Sequence, residues 1–134
     1  MPEPEQLPDI TITHEDLAVL SDVVREALAE GRYVAASRLG NELHRARVVP
    51  AFQAPKGCLT LNRVGKYMEE RSGAIWEVVL VARKGSRLSG TVAVLSGLGT
   101  ALLGLSEGHR MSWFDHNGKS RTVRLLNVSH TRKI

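Results

Sequence analysis

The sequence predicts an α+β fold: a short N-terminal antiparallel helical hairpin, followed by a mainly antiparallel β-sheet domain that carries one short helix. Three observations predict it. Leu17, Leu20, Val24 and Leu28 recur at three- and four-residue spacing, and so do Ala36, Leu39, Leu43 and Ala46. From Cys58 onward β-branched and alternating segments take over, Ala74-Ile-Trp-Glu-Val-Val-Leu-Val-Ala82 being the longest. Between two such segments lies Gly99-Thr-Ala-Leu-Leu-Gly-Leu-Ser-Glu107, an apolar helix of about two turns that runs into Gly108.

Taken in order, the elements have local reasons. Met1-Pro-Glu-Pro-Glu5 is acidic and rich in proline, the opposite of a secretory leader, and residues 1–12 are expected to be disordered. Thr13-His-Glu-Asp16 reads as a helix start, with Thr13 as the cap, Asp16 in the capping-box position and acids at the positive end of the helix dipole. Gly31 ends that helix, and a second runs from about Val34 to Arg47, with Pro50 beyond it. The loop Glu30-Gly-Arg-Tyr33 is so short that the two helices must pack antiparallel, which makes 13–49 a hairpin unit with few contacts to the sheet. Ala51 to Gly57 is an irregular connector.

The sheet domain is expected over 57–130, opening with Cys58-Leu-Thr-Leu-Asn62. After a turn at Ser72-Gly73, Trp76, Val78 and Leu80 share one face of a strand, and Ile75, Glu77, Val79 and Val81 share the other, the pattern of a central strand covered on both sides. Leu103 is expected against this strand. Arg83-Lys-Gly-Ser-Arg87 is a basic loop, Thr91 to Ser96 is β-branched and apolar, and Asn117-Gly118 marks a hairpin between strands through Trp113 and through Val123. The tail from His130 to Ile134 is basic and expected to fray.

Composition narrows the chemistry. The 134 residues suffice for a modest core without disulfides or metal, and the single Cys58 has no partner within the chain, which suits a reducing cytoplasm. No apolar run reaches about 18 residues, so no membrane span is expected. The net charge of +4 hides a division: residues 1–30 hold eight acids and one base, and the remainder holds seventeen bases and six acids. Such polarity suits an acidic partner, or weak contact with nucleic acid through the basic surface. The five histidines show no metal-ligand spacing, no phosphate-binding loop is present, and no catalytic, cofactor-binding or metal site is expected. Ser96-Gly-Leu-Gly-Thr-Ala-Leu-Leu-Gly104 imitates a dinucleotide fingerprint, but four residues separate Gly99 from Gly104 where the fingerprint has two. Cys58 reads as a small buried residue.

The Ala101-Leu-Leu-Gly104 helix, the glycine-closed turn, the Trp113 strand and the hairpin at Gly118 resemble the C-terminal domain of the Gre transcript-cleavage factors. They are more similar still to the family of regulators of nucleoside diphosphate kinase, over residues 57 to 130 and more loosely over the N-terminal third. The resemblance implies an FKBP-like fold for the sheet domain and a cytoplasmic, non-enzymatic regulator that binds RNA polymerase at the rim of its secondary channel. Gre factors carry paired carboxylates at the hairpin tip, whereas here the tip holds Glu30 and Arg32. At about 20 to 25 Å the hairpin is also short for their task, which implies no transcript cleavage. Gre factors dock through a Ser-Pro junction ahead of the Ala-Leu-Leu helix, and Leu95-Ser96-Gly97 occupies that place, with glycine where proline is usual. Candidate partner-binding residues are therefore Leu95, Ser96, Gly97, Glu30 and Arg32. The alternative from another class is a nucleotide-responsive or enzyme-associated regulatory module.

Overall fold

The first ordered event along the chain is one the sequence reading did not contain. In the computed structural model, which describes residues 7–83 and 90–129, the segment ahead of the first helix pairs as strand β1 (Thr11–Thr13) in parallel with β2 (Arg47–Val49), Ile12 opposite Val48. Ile10 and Ile12 are fully buried, so disorder over residues 1–12 does not hold for this stretch. Ile10 and Ile12, two residues apart and so on one face, each gain roughly 1.5 to 3 kcal/mol from burial, which offsets much of the cost of ordering the segment. The expectation for Met1 to Gln6 lies outside the described residues.

Helix α1 (His14–Ala29) starts where expected, with the Thr13 hydroxyl accepting from the Asp16 amide at 3.0 Å. Its buried stripe is Leu20, Val23 and Ala27, rotated from the expected one, and Leu28 remains exposed. Helix α2 (Tyr33–Arg45) buries Ala36 and Leu39, with Leu43 and Ala46 partly covered. Gly31, at φ +77°, turns the chain between them.

Five further strands form one sheet: β3 (Val64–Glu69), β4 (Ile75–Val81), β5 (Thr91–Ala93), β6 (Arg110–Phe114) and β7 (Ser120–Ser129), in the order β5-β4-β3-β7-β6. All pairings are antiparallel except β4 with β5. A bulge in β7 shifts its register against β3 between Lys66 and Tyr67. The turn at Ser72-Gly73 is as expected, Gly73 having φ +75°. The closing hairpin uses a three-residue loop: the Gly118 amide bonds the Asp115 carbonyl, and the Asp115 carboxylate accepts from the Asn117 and Lys119 amides.

Three expectations for the sheet need correction. Cys58 to Asn62 is not a strand; Cys58 only bridges Ser106, and the first strand of the sheet begins at Val64. The thiol of Cys58 donates to the carbonyls of Thr11 and Gly104, at 3.3 and 3.2 Å, so this segment serves as a seam to β1. Strand β4 is not covered on both faces: Leu80 is fully buried, but Ile75 and Trp76 are 56% and 58% exposed, so the core reaches only the C-terminal part of the strand. Trp76 therefore stands outside the core, whereas Leu103 shares its apolar cluster with Leu80 and the partly buried Val78 of this strand, as expected. Helix α3 (Gly97–Leu102) begins two residues early, because Ser96 caps it, and Gly104 at φ +72° closes it rather than Gly108. A Cβ on Gly104 would stand 2.8 Å from the Thr11 carbonyl oxygen, so the hairpin base and this turn are in contact.

The hairpin is not set apart from the sheet. Leu20, Val23 and Leu39 belong to the same apolar cluster as Leu80, Leu102, Leu103 and Leu125. Polar ties reinforce it: the Asp16 carboxylate accepts from the Leu61 amide at 3.0 Å, and Arg83 grips Glu26 at 2.9 and 2.7 Å. The remainder of the expected basic loop, Lys84 to Arg87, and the tail from His130 lie outside the described residues. No helix among the described residues is long and apolar enough to cross a membrane.

Candidate partner-binding surface

Two places carry the sequence-predicted residues. At the hairpin tip Glu30 ends α1, its amide bonding the Glu26 carbonyl at 3.0 Å, and the Arg32 amide bonds the Ala27 carbonyl at 2.8 Å. These backbone bonds close the turn and leave both side chains exposed. One carboxylate and one guanidinium at such a tip offer a dipolar contact, not a ligand set for a divalent cation.

The second place is the corner where β5 leads into α3. Ser96 caps the helix, its Oγ accepting from the Gly99 amide at 3.0 Å and donating to the Ala93 carbonyl at 2.8 Å. The corner is tight because Gly99 has no side chain: a Cβ there would run into the Ala93 carbonyl oxygen. Gly97 has a different reason. A Cβ on it would collide with the indole nitrogen of Trp113, so glycine at this position lets the β6 tryptophan close over the helix entrance. Leu95, Ser96 and Gly97 are all half-buried.

The sequence reading did not include the residue that joins the corner to the hairpin. Arg38, on α2, donates from Nη2 to the Leu95 carbonyl at 2.9 Å. It lies six residues beyond Arg32, about 9 Å along the helix at 1.5 Å per residue. Tip and corner are thus two places spaced along α2 rather than one site. Nothing in the sequence marked Arg38 among eighteen bases, since its role depends on a carbonyl 57 positions away.

Trp113, Gly97, Thr100, Ala101 and Arg38 line a cleft of about 260 Å³ beside the corner. Burial lowers the pKa of the Arg38 guanidinium. Burial likewise raises the Asp16 carboxyl and the Cys58 thiol, neither of which faces this cleft. Cys58 is fully buried, as expected, and His14, His44, His109 and His116 are all exposed. Among the described residues no group of three or more His, Cys, Asp or Glu side chains is placed to hold a metal ion.

Comparison with known proteins fits this geometry. Residues 8–49, from the base of the hairpin through β2, match the family described as the Rnk N-terminus. Among solved structures, the chain is similar to a prokaryotic transcription elongation factor GreA/GreB from Nitrosomonas europaea, with a TM-score of 0.68 and 26% identity, covering 92% of this chain and 99% of that one. GreA factor homolog 1 (Gfh1) of Thermus thermophilus aligns over 92% of this chain and 100% of that one, at 16% identity and a TM-score of 0.45. Gfh1 of Thermus aquaticus aligns over 91% and 99%, at 16% identity and 0.46. No curated protein matches the sequence significantly.

Proposed function

We propose that this chain, whose residues 8–49 match the Rnk N-terminus family and whose build is similar to a GreA/GreB factor, is a cytoplasmic, non-enzymatic regulator of transcription that binds bacterial RNA polymerase near the secondary channel. In this reading the corner Leu95-Ser96-Gly97 docks on the rim of the channel, and the tip residues Glu30 and Arg32 point toward it. The observation that carries it is the GreA/GreB-like build over 92% of the chain, in which Arg38 ties the Leu95-Ser96-Gly97 corner to the hairpin.

The same reading assigns no cleavage activity. Helices of 16 and 13 residues reach roughly 20 to 24 Å, and the tip offers one carboxylate to a hard cation that prefers several oxygens. Any contact with nucleic acid through the basic surface is weak and accessory in this scheme.

The test is competition. The purified protein should displace a Gre factor from core polymerase at micromolar concentration. Ser96→Asp is the informative variant, because aspartate still caps α3 while placing a charge on the docking face. It should weaken competition about tenfold, with a fall in melting temperature no larger than the loss of the Ala93 bond, which aspartate cannot donate, accounts for. The protein should also leave backtracked RNA uncleaved in the presence of magnesium. No association with core polymerase at micromolar concentration removes the proposal, and cleavage stimulation that disappears in Glu30→Ala removes its second half.

A further inference from the structure

A cation without a counter-charge stands in the middle of an open trough. Arg38 uses Nη2 on the Leu95 carbonyl, but its Nε is shielded from water and has no hydrogen-bond partner. Burial lowers its pKa, and among the described residues no acid lies close enough to offset that. A half-buried guanidinium in this state gains from any carboxylate that reaches it, since a charge-assisted pair replaces an unmet desolvation cost.

The surroundings of Arg38 form a continuous strip. The 260 Å³ cleft shares Arg38 and Asn41 with a cleft of about 470 Å³ toward Tyr33 and Val34. Through Leu7, Met111 and Ser112 it also joins one of about 600 Å³ toward Arg110 and Arg124. The apolar content is unusual for solvent: Tyr33 is 66% and Val34 is 79% exposed. The charge has one sign. Glu42, the acid in the cleft wall, is taken by Arg45 at 2.6 and 2.9 Å. Arg110 and Arg124 share the single carboxylate of Glu70, at 3.0 and 3.6 Å. Three guanidiniums against Glu70 leave two positive charges in excess, with no free carboxylate among the described lining residues.

We propose that this trough binds an acidic, partly apolar segment of a partner protein, with one carboxylate beside Arg38 and apolar side chains along Tyr33, Val34 and Trp113. Nucleic acid fits less well. Successive bases need exposed ring faces, and the tryptophan of the cleft is half-buried with its indole edge turned onto Gly97. The proposal stands whether or not the partner is polymerase.

The chain has two tryptophans, and Trp76 is exposed at the far edge of the sheet, so Trp76→Phe leaves Trp113 as the sole reporter. That protein is titrated with a hexapeptide of alternating glutamate and leucine, and in parallel with a thymidine hexanucleotide and with sodium phosphate. The peptide should shift Trp113 emission saturably, and raising sodium chloride from about 50 to 300 mM should weaken it several-fold. Arg38→Met should weaken it at least tenfold. Asn41→Glu covers the case in which that variant misfolds. Asn41 lines the same cleft one turn along α2 from Arg38, and a carboxylate there supplies the missing charge from within. It should raise the melting temperature and abolish the peptide response. A hexanucleotide that saturates before the peptide overturns the proposal in favour of nucleic acid. The proposal also falls if the peptide response is absent up to millimolar concentration, equalled by phosphate alone, or unchanged in Asn41→Glu. Loss of polymerase competition in Ser96→Asp with the peptide response retained would show the two surfaces to be separate.

Discussion

Leu39→Ala tests whether hairpin and sheet fold as one unit. Leu39 is fully buried on α2, and the cluster it joins includes Leu80 of β4 and Leu125 of β7. Truncation removes three side-chain carbons, a methine and two methyls, from a dry site and leaves a cavity bounded partly by a sheet that cannot follow the helix, so the cost is about 2 to 5 kcal/mol. Against a total stability of roughly 5 to 15 kcal/mol for a domain of this size, that should lower the melting temperature by about 10 °C or more. Native-state amide exchange reads where the loss is felt. The Val79 amide, bonded to the Gly90 carbonyl at 2.8 Å, and the Val94 amide, bonded to Val81 at 2.9 Å, report on the sheet. They should lose protection by the same free energy as amides in the middle of α1 and α2. If the helices lose protection while Val79 and Val94 keep theirs, the shared core is only a contact and the hairpin is a separate folding unit.

Further outcomes follow from single positions. Gly99→Ala should cost about 1 to 3 kcal/mol or more in urea unfolding, because its Cβ meets backbone at Ala93, whereas Gly40→Ala, in mid-helix with open space, should stabilise by about 0.5 to 1 kcal/mol. Equal effects at the two glycines would refute the steric account of the α3 corner. Asp16 is held above the ordinary carboxylate range, chiefly by burial, so its folded form takes up a proton more readily than the unfolded chain does. Its contribution to stability is therefore present below the unfolded pKa and lost as pH rises through the raised value. Asp16→Asn, which still accepts from Leu61, should remove that segment of the pH–stability curve, and an unchanged curve would refute it. Cys58, buried and raised in pKa, should react with a thiol reagent only at the global unfolding rate, measured under native conditions.

What the sequence revealed was what neighbouring residues decide. The Thr13 cap, the Gly31 turn, the Ser72-Gly73 turn and the Asp115 to Gly118 hairpin are each fixed within four or five residues, and each could be read. The parallel β1–β2 pair could not, because three-residue strands on either side of a hairpin carry no periodicity to count. Trp76 misled for a similar reason. Alternation says which residues share a face, but how far the core reaches along that face is a tertiary fact. At the candidate site, Ser96 and Gly97 were found through family likeness, while the packing reason for Gly97 lay in Trp113, sixteen residues on. Arg38 gave no sign, since an arginine on a polar helix face looks the same whether its tip is solvated or stranded.

Because β1 and β2 lie side by side, Thr11 opposite Arg47 and Thr13 opposite Val49, the chain leaves for the hairpin and returns from it within the length of one three-residue strand pair. Everything between the two strands is geometrically an insertion. Its far end turns at Gly31 without touching the anchor, so the reach of the hairpin and its attachment are independent variables. Seven residues added to each helix near the turn would lengthen it by about 10 Å and return the apolar stripe to almost the same bearing. The anchor, the Gly104 contact and the Arg38 strut would be untouched by such a change. A protein built this way can be refitted to shallower or deeper recesses by changing the length of its two helices at the turn, without redesigning the body that holds it.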